Sequence, residues 1–185
     1  MIDDVMLDAE DKMDKALEAG KHELAAIRTG RANPSMFNGI MVDYYGAPTP
    51  LQQLASITIP EARSVIVSPY DRGAMKEITT AIRESDLGVN PTDDGTVIRV
   101  TLPVLTEERR RDYVKLARSR AEESRVQVRG VRAKAKKELE AIKRDGEAGE
   151  DDVKRAESEL DALTKRYVEQ IDAALATKES ELLEV

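Results

Sequence analysis

The stretch TEERRRDYVKLARSRAEESRVQVRGVRAKAKKELEAIKR, residues 106–144, decides the reading of this chain. Thr106 is placed to cap a helix, with Glu107 and Glu108 in the first turn, where the helix dipole favours acids. No proline interrupts 107–144. Val114, Ala117, Ala121, Val128, Val131, Ala135 and Ile142 recur at three- and four-residue steps, the period of an amphipathic helix. A helix of that length spans about 57 Å. A neighbouring face is basic: at 100° per residue, Arg111, Arg118, Arg125, Arg129, Arg132, Lys136 and Lys143 fall within an arc of about 60°. Residues 109–144 hold 14 basic and 5 acidic side chains, a local charge of +9 inside a chain whose net charge is −7.

Downstream, DGEAGE (145–150) has the length of a connection between antiparallel helices. Val153, Ala156, Leu160, Leu163, Tyr167, Ile171, Ala174 and Leu182 then repeat the helical period over 151–183. Upstream, residues 2–28 show it too, through Ile2, Val5, Ala9, Met13, Ala16, Gly20, Leu24 and Ile27. Gly30 is expected to end that helix in the left-handed conformation, and Pro34 to push Asn33 out of the helical region. Between these helices the period changes to two. Val42, Tyr44, Ile57, Ile59, Val65 and Val67 lie in short runs split by Gly and Pro, as strands do. One helix is expected at about 73–85, and NPTDDG (90–95) is a turn before a strand at 96–101.

The chain is therefore expected to be α+β: a long three-helix bundle from residues 1–30 and 106–185, with a small mixed domain, 31–105, inserted after the first helix. Two short connections join the domains. Thr29, Gly30, Asn33 and Pro34 form one hinge near 30–34; Pro103, Val104 and Leu105 form the other, near 102–106.

Composition removes several function classes. With no cysteine, thiolate metal sites, disulfides and cysteine nucleophiles are absent, which suits a reducing compartment. His22 is the single histidine, so histidine triads and histidine metal clusters have no support. There is no G-x-x-x-x-G-K-[ST] and no strand-linked G-x-G-x-x-G, so any GTP dependence must come from a partner, and no cofactor is expected. Glu150-Asp151-Asp152 and Asp93-Asp94 read as a helix start and a turn before they read as cation sites. The first fifteen residues carry acids where a signal peptide carries a basic head, and no run approaches the roughly 20 apolar residues of a membrane span. A soluble cytoplasmic monomer that performs no catalysis is expected.

The basic face carries the functional reading. Charged residues make up 35% of the chain and aromatics 3%, a profile of long solvated helices. A merely solvated face shows mixed signs, whereas this one is rich in arginine, whose planar fork pairs with phosphate. RNA binding is expected, and the scarcity of aromatics points to recognition of backbone and shape. Two alternatives stay open: a coiled-coil adaptor, which needs no arginine-rich face, and a carboxylate enzyme, which needs paired acids in a cleft.

Five blocks carry a resemblance: AAIRTGRANP (25–34), VDYYGAPTPLQQLASI (42–57), SDLGVNP (85–91), IRVTLPVLTEERR (98–110) and KESELLEV (178–185). Together they run from end to end, and the chain resembles the ribosome recycling factor family. The resemblance implies an L-shaped molecule with a three-helix-bundle arm and a β/α/β arm. It further implies a factor that binds the post-termination ribosome and, with elongation factor G and GTP hydrolysis, separates the subunits. By analogy Arg129 and Arg132, with Arg28 and Arg31, contact large-subunit ribosomal RNA. The chain departs from the family's V-R-N-x-R-R block, reading VRGVRA at 128–133. Gly130 is expected to cost about 1 kcal/mol of helix stability relative to Ala, and Ala133 removes a frequent basic contact.

Overall fold

A computed structural model describes residues 1–184; Val185, the last residue of the terminal block and of the expected bundle, lies outside the described residues. The elements are α1 (Ile2–Ala26), β1 (Met41–Tyr44), β2 (Ala47–Pro50), a single turn of helix α2 (Leu51–Leu54), β3 (Ala55–Glu61), β4 (Ser64–Pro69), α3 (Met75–Arg83), β5 (Thr92–Asp93), β6 (Ile98–Thr101), α4 (Glu107–Arg144) and α5 (Glu150–Leu183). Short 3-10 turns occupy Pro34–Phe37 and Arg72–Ala74. The chain is α+β, with helical ends and a central small sheet region.

Local chemistry accounts for the boundaries that differ from the sequence expectation. The expected helix at 73–85 is shorter because Asp71 caps a 3-10 turn, accepting from the Gly73 N–H at 2.8 Å, and the α-helix begins only at Met75. The strand expected at 96–101 starts at Ile98 because Asp94 Oδ1 accepts from the N–H groups of Thr96 and Val97 at 3.0 and 2.9 Å, holding those residues in a turn. At the other end, α1 stops at Ala26, and Gly30 is not among the glycines with positive φ. The left-handed cap expected at Gly30 is therefore not formed; the helix has ended four residues earlier.

The described chain divides into two compact units. The first consists of Met1–Leu24 and Leu116–Thr177, so it holds most of α1, α4 and α5. The three helices share one core in which Met13, Leu17, Val128, Leu139, Leu160 and Ile171 are at most 2% exposed. Burial of each such side chain contributes about 1.5–3 kcal/mol, far more than the helix propensities supply. One glycine sets a close approach: a Cβ on Gly20 of α1 would lie 2.2 Å from Ser124 Oγ and 3.1 Å from Ser124 Cβ of α4.

The second unit holds Ala25–Lys115 together with residues from Lys178 on. Its antiparallel sheet has the order β3-β4-β6-β5. Val65 pairs with Val100 and Val67 with Ile98, and all four are buried, so the period-two alternation delivers one apolar face. That face packs in one core with Phe37, Val42, Leu51, Ile78 and Ile82. A separate hairpin joins β1 to β2 through Tyr45 and Gly46, at φ 50 and 83, the two left-handed positions of a type I′ turn. Pro48 and Pro50 are tolerated in β2 because a two-stranded ribbon has only edges.

Candidate nucleic-acid interface

α4 begins where its sequence chemistry places it. The Arg109 N–H donates to Thr106 Oγ1 at 3.1 Å, and Glu107 accepts from Arg111 Nη2 at 2.5 Å, one turn along. Arg111 is exposed and belongs to the second unit. Arg118, Arg125, Arg129, Arg132 and Lys136 belong to the first, on the α4 face adjacent to its buried residues Ala121, Val128, Ala135 and Leu139. Arg118, Arg129 and Lys136 are exposed, whereas Arg125 and Arg132 are half-buried.

The arginines of this face are partly neutralised within the protein. Arg125 donates from Nε and Nη2 to Asp172 Oδ1 at 2.8 and 2.6 Å, and from Nη1 to Glu122 Oε2 at 3.0 Å; its side chain is only 18% exposed. Burial alone would lower its pKa, but the bonds to Asp172 and Glu122 outweigh burial and hold it above the ordinary arginine value. Arg129 reaches Glu122 Oε1 from Nη1 at 3.3 Å. Arg132 donates from Nε and Nη2 to Asp161 Oδ1, each at 2.7 Å. At the far end Lys143 Nζ lies 3.1 Å from Glu150 Oε1.

Asp161 and Asp172 are the groups that sequence reasoning missed. They sit on the acidic helix α5, eleven residues apart, which at 100° per residue places them within about 20° of one face. That coincidence is visible in the sequence once α5 is known to pack against α4. The basic face is consequently a laced surface, with acids from α5 and Glu122 set among the arginines, and less purely cationic than residues 109–144 suggest.

Arg28 and Arg31 separate. Arg31 is exposed. Arg28 is 4% exposed, donating from Nη1 to the Leu87 carbonyl at 3.3 Å and from Nη2 to the Pro103 carbonyl. Burial lowers its pKa below the usual arginine value, opposed by Tyr113. It is thus an interior cation of the second unit that ties residue 28 to residue 103. The residues around it are similarly bound. The Ala32 N–H donates to the Ala62 carbonyl at 2.6 Å and the Leu102 N–H to the Arg63 carbonyl at 2.8 Å, so both connections are stitched to the β3–β4 turn. Thr29 is buried, its hydroxyl donating to the Arg31 carbonyl at 3.1 Å. Asn33 caps the 3-10 turn that starts at Pro34, accepting from the Ser35 N–H at 2.7 Å. Leu105 is buried, while Pro103 and Val104 are exposed. A Cβ on Gly30 would lie 3.8 Å from the Glu184 carbonyl, in ordinary contact.

Among the described residues no group of three or more His, Asp or Glu side chains is arranged to hold a metal ion, and no helix is long and apolar enough to cross a membrane. The surface offers guanidinium and ammonium donors at helical spacing, which suits anionic oxygens.

Comparison with known proteins bears on the whole chain. A family model described as Ribosome recycling factor matches residues 20–183. The chain is 67% identical to the ribosome-recycling factor of Beutenbergia cavernae and 64% identical to that of Kineococcus radiotolerans, in each case over 185 residues and 100% of both chains. Among solved structures it is similar to a solution structure of the ribosome recycling factor, with 42% identity and a TM-score of 0.77 over 100% of this chain and 98% of that one. It is also similar to the recycling factor in models of the T. thermophilus ribosome recycling factor and the E. coli elongation factor G bound to the E. coli post-termination complex, with 40% identity and a TM-score of 0.69 over 100% of both chains.

Proposed function

Because this chain belongs to the ribosome recycling factor family, we propose that it binds the post-termination ribosome and, with elongation factor G and GTP, promotes dissociation into subunits for a new round of translation. The observation that carries the reading at residue level is the α4 face, where Arg118, Arg129 and Lys136 are exposed and Arg132 keeps 37% of its side chain open. Those four, with Arg31 and Arg111, are the proposed contacts to large-subunit ribosomal RNA, through phosphate and not through base edges. Arg28 and Arg125 stand outside the contact set because protein carbonyls and carboxylates already hold their guanidinium groups.

The factor acts by binding and displacement as a cytoplasmic monomer. It has no phosphate-cradling loop of its own, so the GTP is hydrolysed by elongation factor G. Residues 1–30 with 106–185 form the proposed ribosome-binding bundle and 31–105 the inserted domain, articulated at 30–34 and 102–106. The test is a subunit-splitting assay with matched ribosomes, elongation factor G and GTP. Splitting that requires all three and this chain supports the reading. Failure to split matched ribosomes with a folded chain refutes it.

A further inference from the structure

Arg125 and Arg132 both bind an α5 aspartate through the Nε–Nη2 edge, but they differ at the other edge. In Arg125, Nη1 is also engaged, by Glu122, and the guanidinium is closed on both sides. In Arg132 the carboxylate of Asp161 occupies the Nε–Nη2 edge alone, both bonds at 2.7 Å converging on Oδ1, and the side chain is 37% exposed. A guanidinium held by one edge is fixed in plane and direction, with the Nη1–Nη2 edge left for a second planar or tetrahedral anion.

The geometry points to Asp161 as a positioning residue for RNA recognition: it holds Arg132 by one edge so that the other faces a phosphate. This inference deepens the proposed function and rests on it. An unheld arginine has four freely rotating side-chain bonds and must be ordered on binding; the pair to Asp161 does that ordering beforehand. The two helices need no other adjustment, because Asp161 and Arg132 lie in one compact unit with a shared core.

The sign of one substitution separates positioning from plain electrostatics. Asp161 carries a negative charge, 59% exposed, beside a surface that meets RNA. If the carboxylate only lowers the local positive potential, Asp161→Asn removes a repulsion and binding tightens. If it positions Arg132, Asp161→Asn weakens binding although the net charge has become more favourable.

The experiment titrates matched large ribosomal subunits with the full chain and three variants, Asp161→Asn, Arg132→Ala and the double variant, with circular dichroism and thermal melts alongside. The expected result is a loss of about threefold to tenfold for Asp161→Asn, in the lower part of the range of coupling between contacting residues, and no further loss from Asp161→Asn once Arg132 is alanine. Unchanged or tighter binding by Asp161→Asn, or an equal loss in both backgrounds, overturns the inference. Should Arg132→Ala itself leave binding intact, the RNA contact at Arg132 fails first, so the two failures are told apart.

Discussion

Replacing Arg132 with alanine removes one guanidinium from the middle of the α4 surface. In the free protein the loss is small: the pair to Asp161 is 37% and 59% exposed on its two sides, and such surface pairs contribute about 0–1 kcal/mol. Alanine also favours the helix more than arginine does, so folding should survive. On the ribosome the loss is larger. The proposed hydrogen bond to a charged phosphate oxygen would be lost, for an expected weakening of about 1–3 kcal/mol, roughly five- to 150-fold in Kd. One fewer phosphate contact should lower the slope of log K against log salt by about 0.7–0.9. Arg132→Lys keeps the charge but not the two-edged plane, and should recover only part of the affinity. The control is Arg166→Ala on α5, whose guanidinium pairs with Glu10 at 3.3 Å and is 56% exposed. Both variants are titrated against large subunits at several salt concentrations. Affinities and slopes indistinguishable between Arg132→Ala and Arg166→Ala would remove Arg132 from the interface.

Three further outcomes follow from the packing and the connections. A Cβ on Gly130 meets nothing within 4 Å, so Gly130→Ala should stabilise α4 by about 1 kcal/mol and raise Tm by roughly 2–4 °C in a thermal melt; a lowered Tm contradicts the open space seen there. Gly20→Ala should instead destabilise by about 1–3 kcal/mol through its overlap with Ser124, and Ser124→Ala in the same chain should restore part of that, read by denaturant unfolding. Gly30→Pro should stiffen the first connection and slow subunit splitting while leaving large-subunit binding in place; splitting at the normal rate by a variant with an unchanged circular dichroism spectrum argues against articulation at that point.

The parts of the fold set by neighbouring residues were legible. Thr106, Glu107 and the unbroken apolar period place α4 at Glu107–Arg144 because capping and amphipathicity act within a few turns. The end of α1 was misplaced by two residues because Ile27 and Arg28 obey distant groups: Arg28 is turned inward to the carbonyls of Leu87 and Pro103, 59 and 75 residues away. The same long range hid the strand order β3-β4-β6-β5, since alternation says which side chains point inward but not which strand lies beside which. On the proposed contact face of α4, the arginine stripe followed from helical spacing alone. What closed Arg125 and left Arg132 half open did not, because it depends on where Asp161, Asp172 and Glu122 come to rest.

The helical unit is discontinuous in sequence, with Met1–Leu24 and Leu116–Thr177 separated by the 91 residues from Ala25 to Lys115, and this dictates an order of events during synthesis. α1 leaves the ribosome first, yet the residues that cover Ala9, Met13 and Leu17 have not been made. At about 5–20 residues per second, roughly 5–20 s pass before even the first turn of its partner in α4 exists. In that interval the apolar stripe of α1 is a target for chaperones or for aggregation. α4 and α5, joined by five residues (145–149), then pair locally. α1 joins last, closing a loop whose entropy cost is about 4 kcal/mol for its length. Substitutions at Met13 or Leu17 should therefore act chiefly on the unfolding rate, and those between α4 and α5 on the folding rate.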